Sequence, residues 1–499
     1  MPIPQDILSV ERPTNTVVTA YGKNKNLYAV RKRTGCRYVG GRRVPINGPT
    51  IGHIIDGMFV PIDSAAPGNV SVSPADLKDW ANVVLCDDVN KDMIDELCQV
   101  YGRADALKIY CVSTLRVCDP GIKDHELKNA YDASFLSEIY SGVALSKNAV
   151  CDFLNDLGRT CSRIVSFMRN RTAAVDMSHH LLIDGTLKSD ESKVNSLSDF
   201  SRKARAKRTR DISVLYAFDL ESMEPICSKC FPGNMPDMTS YEAFISENRI
   251  TKGVIVADKG FPASAAGEYF RNHPDLHYLN PIKRNAKVID DLRLLDFTDI
   301  LDGYDGVTYV KKEHARQGKW LYSYRDAHRA AKEEQDWLRR AKKKGNFDYI
   351  ELQGKQRVFG TMVLECDLDL SAGIIYKAYE KRWEIEIVMR YYKSALEFDE
   401  TRVHDDYSVM GSEFCDFLST VLTFKQLRRF DKVKILEKYT YKKIMSVLTR
   451  AKKVRLDGDN WNLIKINPSY EEMLKDLGIL PKPDELPKQK RGRPRKTDV

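Results

Sequence analysis

Tyr376-Lys-Ala-Tyr-Glu-Lys-Arg-Trp-Glu-Ile-Glu-Ile-Val-Met-Arg-Tyr-Tyr-Lys393 continues to Glu400 without a Gly or Pro, which gives it the length of a long helix. Four of its polar residues, Tyr379, Arg382, Glu386 and Lys393, are spaced by three, four and seven. At about 100° per residue they fall within an arc of roughly 60°. One helix face thus carries a hydroxyl, a carboxylate and two cations. Such a face suits a divalent metal beside a phosphodiester, with the carboxylate on the metal and Arg and Lys on phosphate. A solvated charged face uses the same spacing for ordinary helix pairs, and spacing alone does not choose between them.

The text upstream supplies two more acids. His180-Leu-Leu-Ile-Asp184 is a short apolar run ending in an acid and followed by Gly185-Thr186, and Gly253-Val-Ile-Val-Ala-Asp258 repeats the pattern. Between them Ile212 to Phe218 alternates as a strand, a turn follows, and a further strand reaches Phe231. A helical segment at about Ser240 to Asn248, a helix after Pro262 and a strand near His277 to Leu279 complete the order. Three antiparallel strands are followed by helix, strand, helix, strand, an α/β arrangement. Asp184 and Asp258 would both sit at the C-terminal ends of strands, where an open sheet presents its ligands. A lone Asp after a strand is an ordinary turn or cap residue. Two of them, taken with Glu386, make a three-acid, two-metal constellation.

At this point the residues resemble a family. Tyr379, Arg382, Glu386 and Lys393 match at every spacing the Y-x2-R-x3-E-x6-K signature of DDE transposases of the bacterial insertion-sequence kind. Leu182-Ile-Asp184-Gly-Thr186 resembles the first catalytic segment of that family and Ala257-Asp258-Lys-Gly-Phe261 the second. Phe231-Pro-Gly-Asn-Met-Pro-Asp237 resembles the G-N-x-x-D turn between them. The resemblance runs from about Asp176 to Lys425. It implies an RNase H-like catalytic core with a β-rich insertion at about 285–360, where strand-like runs occur at Thr308, Trp320 and Phe359.

The resemblance also implies roles. Asp184, Asp258 and Glu386 would be the catalytic acids and would hold two divalent ions, Mg²⁺ with Mn²⁺ as a substitute. Tyr379, Arg382 and Lys393 would contact DNA. Trp320 and Phe359 are the aromatic candidates for stacking on a base flipped from the cleaved end, although a packing role is the commoner use of such residues. The expected reaction is cleavage of transposon-end phosphodiesters and transfer of the freed 3′-OH to target DNA. Double-stranded DNA is then the partner, and two ends call for a homodimer. A nuclease of this fold that does not join strands, and a silent DNA-binding regulator descended from a transposase, remain open alternatives.

The rest of the chain gives the frame. Its 499 residues leave room for several domains. The expected layout is a small basic β module at 1–72, an α-helical domain at 73–171, the core at 172–425, a helical region at 426–480 and a basic tail at 481–499. A net charge of +9 is compatible with an acidic partner. Arg202, Lys203, Arg205, Lys207, Arg208 and Arg210 form a run suited to phosphates. Arg491-Gly-Arg493-Pro resembles an AT-hook core, whose two Arg side chains enter a narrow A·T minor groove. No apolar stretch is long enough for a membrane span. Eleven scattered cysteines fit free thiols in a reducing, cytoplasmic setting, prokaryotic if the resemblance holds.

Overall fold

The computed structural model describes residues 3–20, 28–55, 57–61, 76–190, 192–200, 209–235, 237–257, 266–314, 317–382, 396, 398, 400–401, 403–456 and 460–481. The chain divides into two compact units, Met1–Asp76 with Arg455–Asn460, and Leu77–Val454 with Trp461–Val499.

The first unit is an antiparallel sheet of β1 (Thr16–Ala20), β2 (Tyr28–Val39), β3 (Arg42–Ile55) and β4 (Met58–Pro61), in that order. Val18, Val30 and Ile54 form its small core. Gly40 and Gly41, at φ +57° and +76°, close β2 onto β3 in a two-residue turn that side chains with a Cβ resist. Along β2, Arg31, Lys32, Arg33 and Arg37 are exposed, so the ribbon is basic as well as long.

Residues 73–75, at the expected start of the α-helical domain, lie outside the described residues. Residues Asp76–Asp79 form a short strand, β5, and the first helix of the segment is Ala81–Val89. The apolar stripe from Val150 to Met168, whose spacing suits one continuous helix, spans two: Lys147–Arg159 and Cys161–Ala173. The break falls at Thr160, whose hydroxyl donates to the Asp156 carbonyl at 2.9 Å, so the side chain competes with the backbone ladder.

The main sheet has nine strands among the described residues. β6 (His180–Ser189), β7 (Asp211–Asp219) and β8 (Glu224–Pro232) form an antiparallel meander. β9 (Gly253–Ala257) pairs parallel to β6, and β10 (Leu276–Ile282) parallel to β9. The insertion then extends this same sheet. β11 (Asp299–Ile300), β12 (Val307–His314) and β13 (Lys319–Asp326) join it through β14 (Thr361–Cys366), which pairs antiparallel to β10. Two helices, Ala327–Lys344 and Tyr349–Gln356, interrupt the insertion between β13 and β14.

One hydrophobic cluster unites this sheet with the helices Arg103–Cys118, Lys147–Arg159, Cys161–Ala173 and Asp406–Lys432. The helix Asp406–Lys432 is buried over most of its 27 residues because it lies among these elements. Its crossing with Lys147–Arg159 is a backbone contact. A Cβ on Gly158 would lie 1.9 Å from the Tyr407 carbonyl oxygen, and one on Gly411 would lie 2.1 Å from that of Leu154. Neither neighbour is a flexible side-chain end. Gly158→Ala is therefore expected to lower stability by at least about 1–3 kcal/mol through overpacking, read as a drop in thermal midpoint, whereas Gly102→Ala, which meets nothing, should not. A second cluster joins Trp80, Ala81 and Leu85 to the C-terminal helices Tyr441–Arg450 and Pro468–Asp476.

Candidate active site

β6 and β9 lie side by side in parallel register, with Leu182 opposite Val256 and Ile183 opposite Ala257. The next residue along the chain from each is an aspartate, Asp184 and Asp258. Asp258 itself lies outside the described residues. Asp184 sits midway along β6, half-buried, opposite Tyr216 of β7, and its Oδ1 accepts the Gly185 N–H at 2.9 Å. The strand does not end at this acid. It runs on through Gly185 and Lys188 to Ser189, because those residues keep their ladder with β7.

The helix bearing the opening motif is described over 372–382, and Glu386 and Lys393 fall beyond it. Ala372, Ile375, Tyr376, Ala378, Tyr379 and Arg382 are its buried residues, a stripe at helical spacing. Tyr379 and Arg382 thus belong to the face turned into the protein rather than to a solvated one. The Arg382 guanidinium donates to the Tyr379 hydroxyl at 3.0 Å and lies 5.4 Å from the ring centre. The insertion holds the start of this helix. Tyr324 of β13 donates to the Ala372 carbonyl at 2.7 Å, and its ring packs 4.9 Å from that of Tyr376.

Tyr379 also lines a cleft of about 280 Å³ with Lys283, Arg284, Arg329, Glu333 and Thr361. Arg284 grips Glu333 with two nitrogens at 2.9 and 3.0 Å, and Arg329 adds a third contact at 3.1 Å. Burial works to raise Glu333, but Arg284, the Gly360 N–H and Arg329 together hold it below the usual carboxylate range. These cations around Tyr379 had no visible motif in the sequence.

The two aromatic candidates are placed differently from each other. Phe359 is buried with Ala330 and Leu352 beneath the two insertion helices, so its ring offers no face to a base. Trp320 is half-buried, with the Lys311 ammonium 4.6 Å from its ring centre. Of the basic run, Arg210 alone is described. It donates to the Ser198 carbonyl and lies 5.7 Å from the Phe200 ring. Arg202, Lys203, Arg205, Lys207, Arg208, Arg491 and Arg493 lie outside the described residues. The neck of that run is closed by Asp199 and Asp211, which exchange backbone hydrogen bonds at 3.1 and 2.9 Å. Gly233 of the G-N turn seals it. A Cβ there would lie 2.1 Å from the Asp211 carbonyl oxygen, and Asn234 donates to Asp199 at 2.6 Å.

Behind Asp184 the strand is anchored by charge. Lys188 is buried and pairs with Glu413 at 2.6 Å and Asp416 at 2.8 Å, both on the helix Asp406–Lys432. Asp416 also receives Arg116 at 2.8 Å. Burial alone would push the Lys188 ammonium down, yet the two carboxylates hold it up and charged. Asp416 is kept low by Lys188 and Arg116 against the effect of burial, while burial leaves Glu413 raised.

A His/carboxylate group, also unseen in the sequence, lies at the start of β6. Ligand atoms of His179, Asp219 and Glu221 come within 4.8 Å of one another. At about 3.3 Å per residue this group is roughly 13 Å along the strand from Asp184, so it is not the expected acid set. Its atoms have protein partners: His179 meets Asp219 at 2.9 Å, and Glu221 takes the His180 N–H at 2.7 Å and Lys381 at 3.4 Å. Lys381 belongs to the motif helix, so Glu221 ties that helix to the strand of Asp184. Burial alone would raise Glu221, but His180 and Lys381 pull its pKa to about 2, from an ordinary 4.5. A depressed carboxylate stabilises the fold above its unfolded value and loses that contribution as pH falls. The difference in thermal midpoint between wild type and Glu221→Gln should therefore shrink as pH falls from about 5 toward 2.

Cys227 and Cys230, the one C-x-x-C of the chain, both lie on β8. Three residues apart on a strand, they point to opposite faces and cannot share an ion.

Comparison with known proteins agrees with the motif. Residues 177–409 match the family model of the transposase DDE domain. No curated protein matches the chain. Among solved structures, a cryo-EM structure of a piggyBac transposase synaptic complex with hairpin DNA is similar at 12% sequence identity and a TM-score of 0.38, over 74% of this chain and 80% of that one. No described helix is long and apolar enough to cross a membrane. Residues 177–409 of the chain thus match a transposase DDE domain.

Proposed function

We propose that Asp184, Asp258 and Glu386 are the catalytic acids of a cut-and-paste DNA transposase built on an RNase H-like core. The observation that carries the reading is the parallel register of β6 and β9, which sets side by side two strands that each run directly into an aspartate. The strand order β8-β7-β6-β9-β10, a meander with two parallel strands added beside its first, supports the RNase H-like assignment. The all-oxygen donor set fits a hard divalent cation such as Mg²⁺, and the half-buried Asp184 carboxylate is accessible to one. Ions held there would activate a water and stabilise the leaving 3′-oxygen.

The chain's own residues do the rest. Asp184 would fix the acid set to the middle of β6, and Lys188 and Glu221 fix that strand to two helices. Tyr379 and Arg382 orient each other on the face that the sequence spacing gives also to Glu386 and Lys393. With Lys283, Arg284 and Arg329 around Tyr379, this side of the helix would hold the phosphates flanking the cut. The basic ribbon β2–β3, the 202–210 run and the AT-hook-like tail would supply further backbone and minor-groove contacts. Two ends call for a homodimer on DNA.

The test is a duplex carrying the inverted repeats that bracket the reading frame, incubated with protein and Mg²⁺ or Mn²⁺. Cleavage at the repeat and joining of the 3′-OH to a target plasmid are expected. Cleavage without joining would make the protein a nuclease, and intact duplex under both metals would leave a silent DNA-binding protein.

A further inference from the structure

Between β13 and β14 the chain leaves the sheet as a hairpin of two helices whose tip exposes large apolar side chains among cations. The first helix, Ala327–Lys344, ends at Gly345, which adopts the left-handed conformation at φ 65°. Asp348 starts the second, Tyr349–Gln356, by accepting the Ile350 N–H at 2.8 Å. Trp337, Leu352 and Phe359 pack together where the helices face each other. At the tip Phe347 meets the Trp337 ring edge-on, with centroids 6.1 Å apart, yet stays 58% exposed, and Tyr349 and Ile350 are 61% and 79% exposed. Around these three lie Arg339, Arg340, Lys342, Lys343 and Lys344, all exposed. Residues 336–351 contain only three acids against these five cations. Asp336 pairs with Arg339 at 3.2 Å, and Asp348 is the cap.

Three large apolar side chains within four residues on a well-formed turn mark a surface that is covered in use. The cations name the cover. A dense positive cluster repels a second copy of itself across a twofold axis but fits the phosphates on either side of a groove. Apolar wedges flanked by cations are how proteins enter a minor groove and unstack a base step. We propose that the tip of this hairpin is a duplex-DNA docking and bending site, with Lys342, Lys343 and Lys344 on the backbone and Phe347 and Ile350 as the wedge. This rests on the reading that the chain acts on DNA, but not on the assignment of the catalytic acids.

Full-length protein is titrated with a 30-base-pair duplex carrying fluorophores at both ends, reading anisotropy for affinity and energy transfer for bending across a salt series. Lys342→Gln/Lys343→Gln/Lys344→Gln should weaken binding about tenfold near 0.1 M salt and reduce the slope of log affinity against log salt by about two to three. Phe347→Ser/Ile350→Ser should keep the slope, weaken binding by about fivefold or more and abolish the end-to-end approach of the duplex. All five positions are exposed, and unchanged thermal midpoints confirm the fold. If the wedge variant bends DNA like wild type, or if it changes only the oligomeric mass while DNA binding stays intact, the proposal is overturned. Metal-dependent cleavage is measured on the same preparations. Wild type that cuts while both tip variants bind normally sinks the tip alone, and a tip that binds and bends without any cleavage sinks the catalytic reading alone.

Discussion

Asp184→Ala and Glu386→Ala should each abolish strand cleavage, while Glu384→Ala, two residues from the latter, should cut like wild type. The expected loss is at least about three orders of magnitude. Charge stabilisation by bound metal is worth several kcal/mol, and each 1.36 kcal/mol is about tenfold in rate. Glu384 is the sharp control because it shares the charge, the helix text and almost the position of Glu386. Helical spacing of about 100° per residue would place it some 200° away around the helix. Tyr379 and Arg382 mark the inward face, and Glu386 shares their phase by spacing. Cleavage is scored on labelled end duplexes with Mg²⁺ and again with Mn²⁺. Full activity in Glu386→Ala, or loss in Glu384→Ala equal to that in Glu386→Ala, would remove Glu386 from the site.

The second large effect is on folding. Lys188→Ala should destabilise the protein by about 3–5 kcal/mol, because it strands buried Glu413 and Asp416 with Arg116 as the remaining cation among the partners named. Against a total stability of about 5–15 kcal/mol this is a large share. The measurement is the urea midpoint or thermal midpoint of the full chain. Lys188→Met combined with Glu413→Gln and Asp416→Asn should recover part of the loss, since the uncompensated charges are then gone. If Lys188→Ala melts with wild type, the buried network is not holding β6.

The candidate site was read from signals that are local. Apolar strands that run into Asp, and four polar residues in one helical arc, need no knowledge of the rest of the chain. Lys188 was not legible. A lysine four residues after a strand's acid reads as the end of that strand, and its partners, Glu413 and Asp416, come from more than 220 residues away. The same holds for Arg382, whose charge reads as a solvated face until its buried contact with Tyr379 is seen. The stripe over Val150 to Met168 looks like one helix for a local reason instead, since periodicity survives a break at which the Thr160 hydroxyl and N–H share one backbone carbonyl. That the helices of 81–173 share a core with the sheet depends on packing between distant segments, which no local pattern encodes.

The backbone contact of Gly158 and Gly411 has a consequence for how such a chain is inherited. Gly158 lies before the stretch that matches the transposase domain and Gly411 just after it. Exchanging residues 177–409 between relatives would therefore leave both glycines with the recipient, while the acceptors of Lys188 at 413 and 416 would also stay behind. A working chimera has to move from about residue 77 through the helix Pro468–Asp476 as one block, because that helix shares a core with Trp80, Ala81 and Leu85, so recombination between such genes should leave viable junctions at the edges of that block and few inside it.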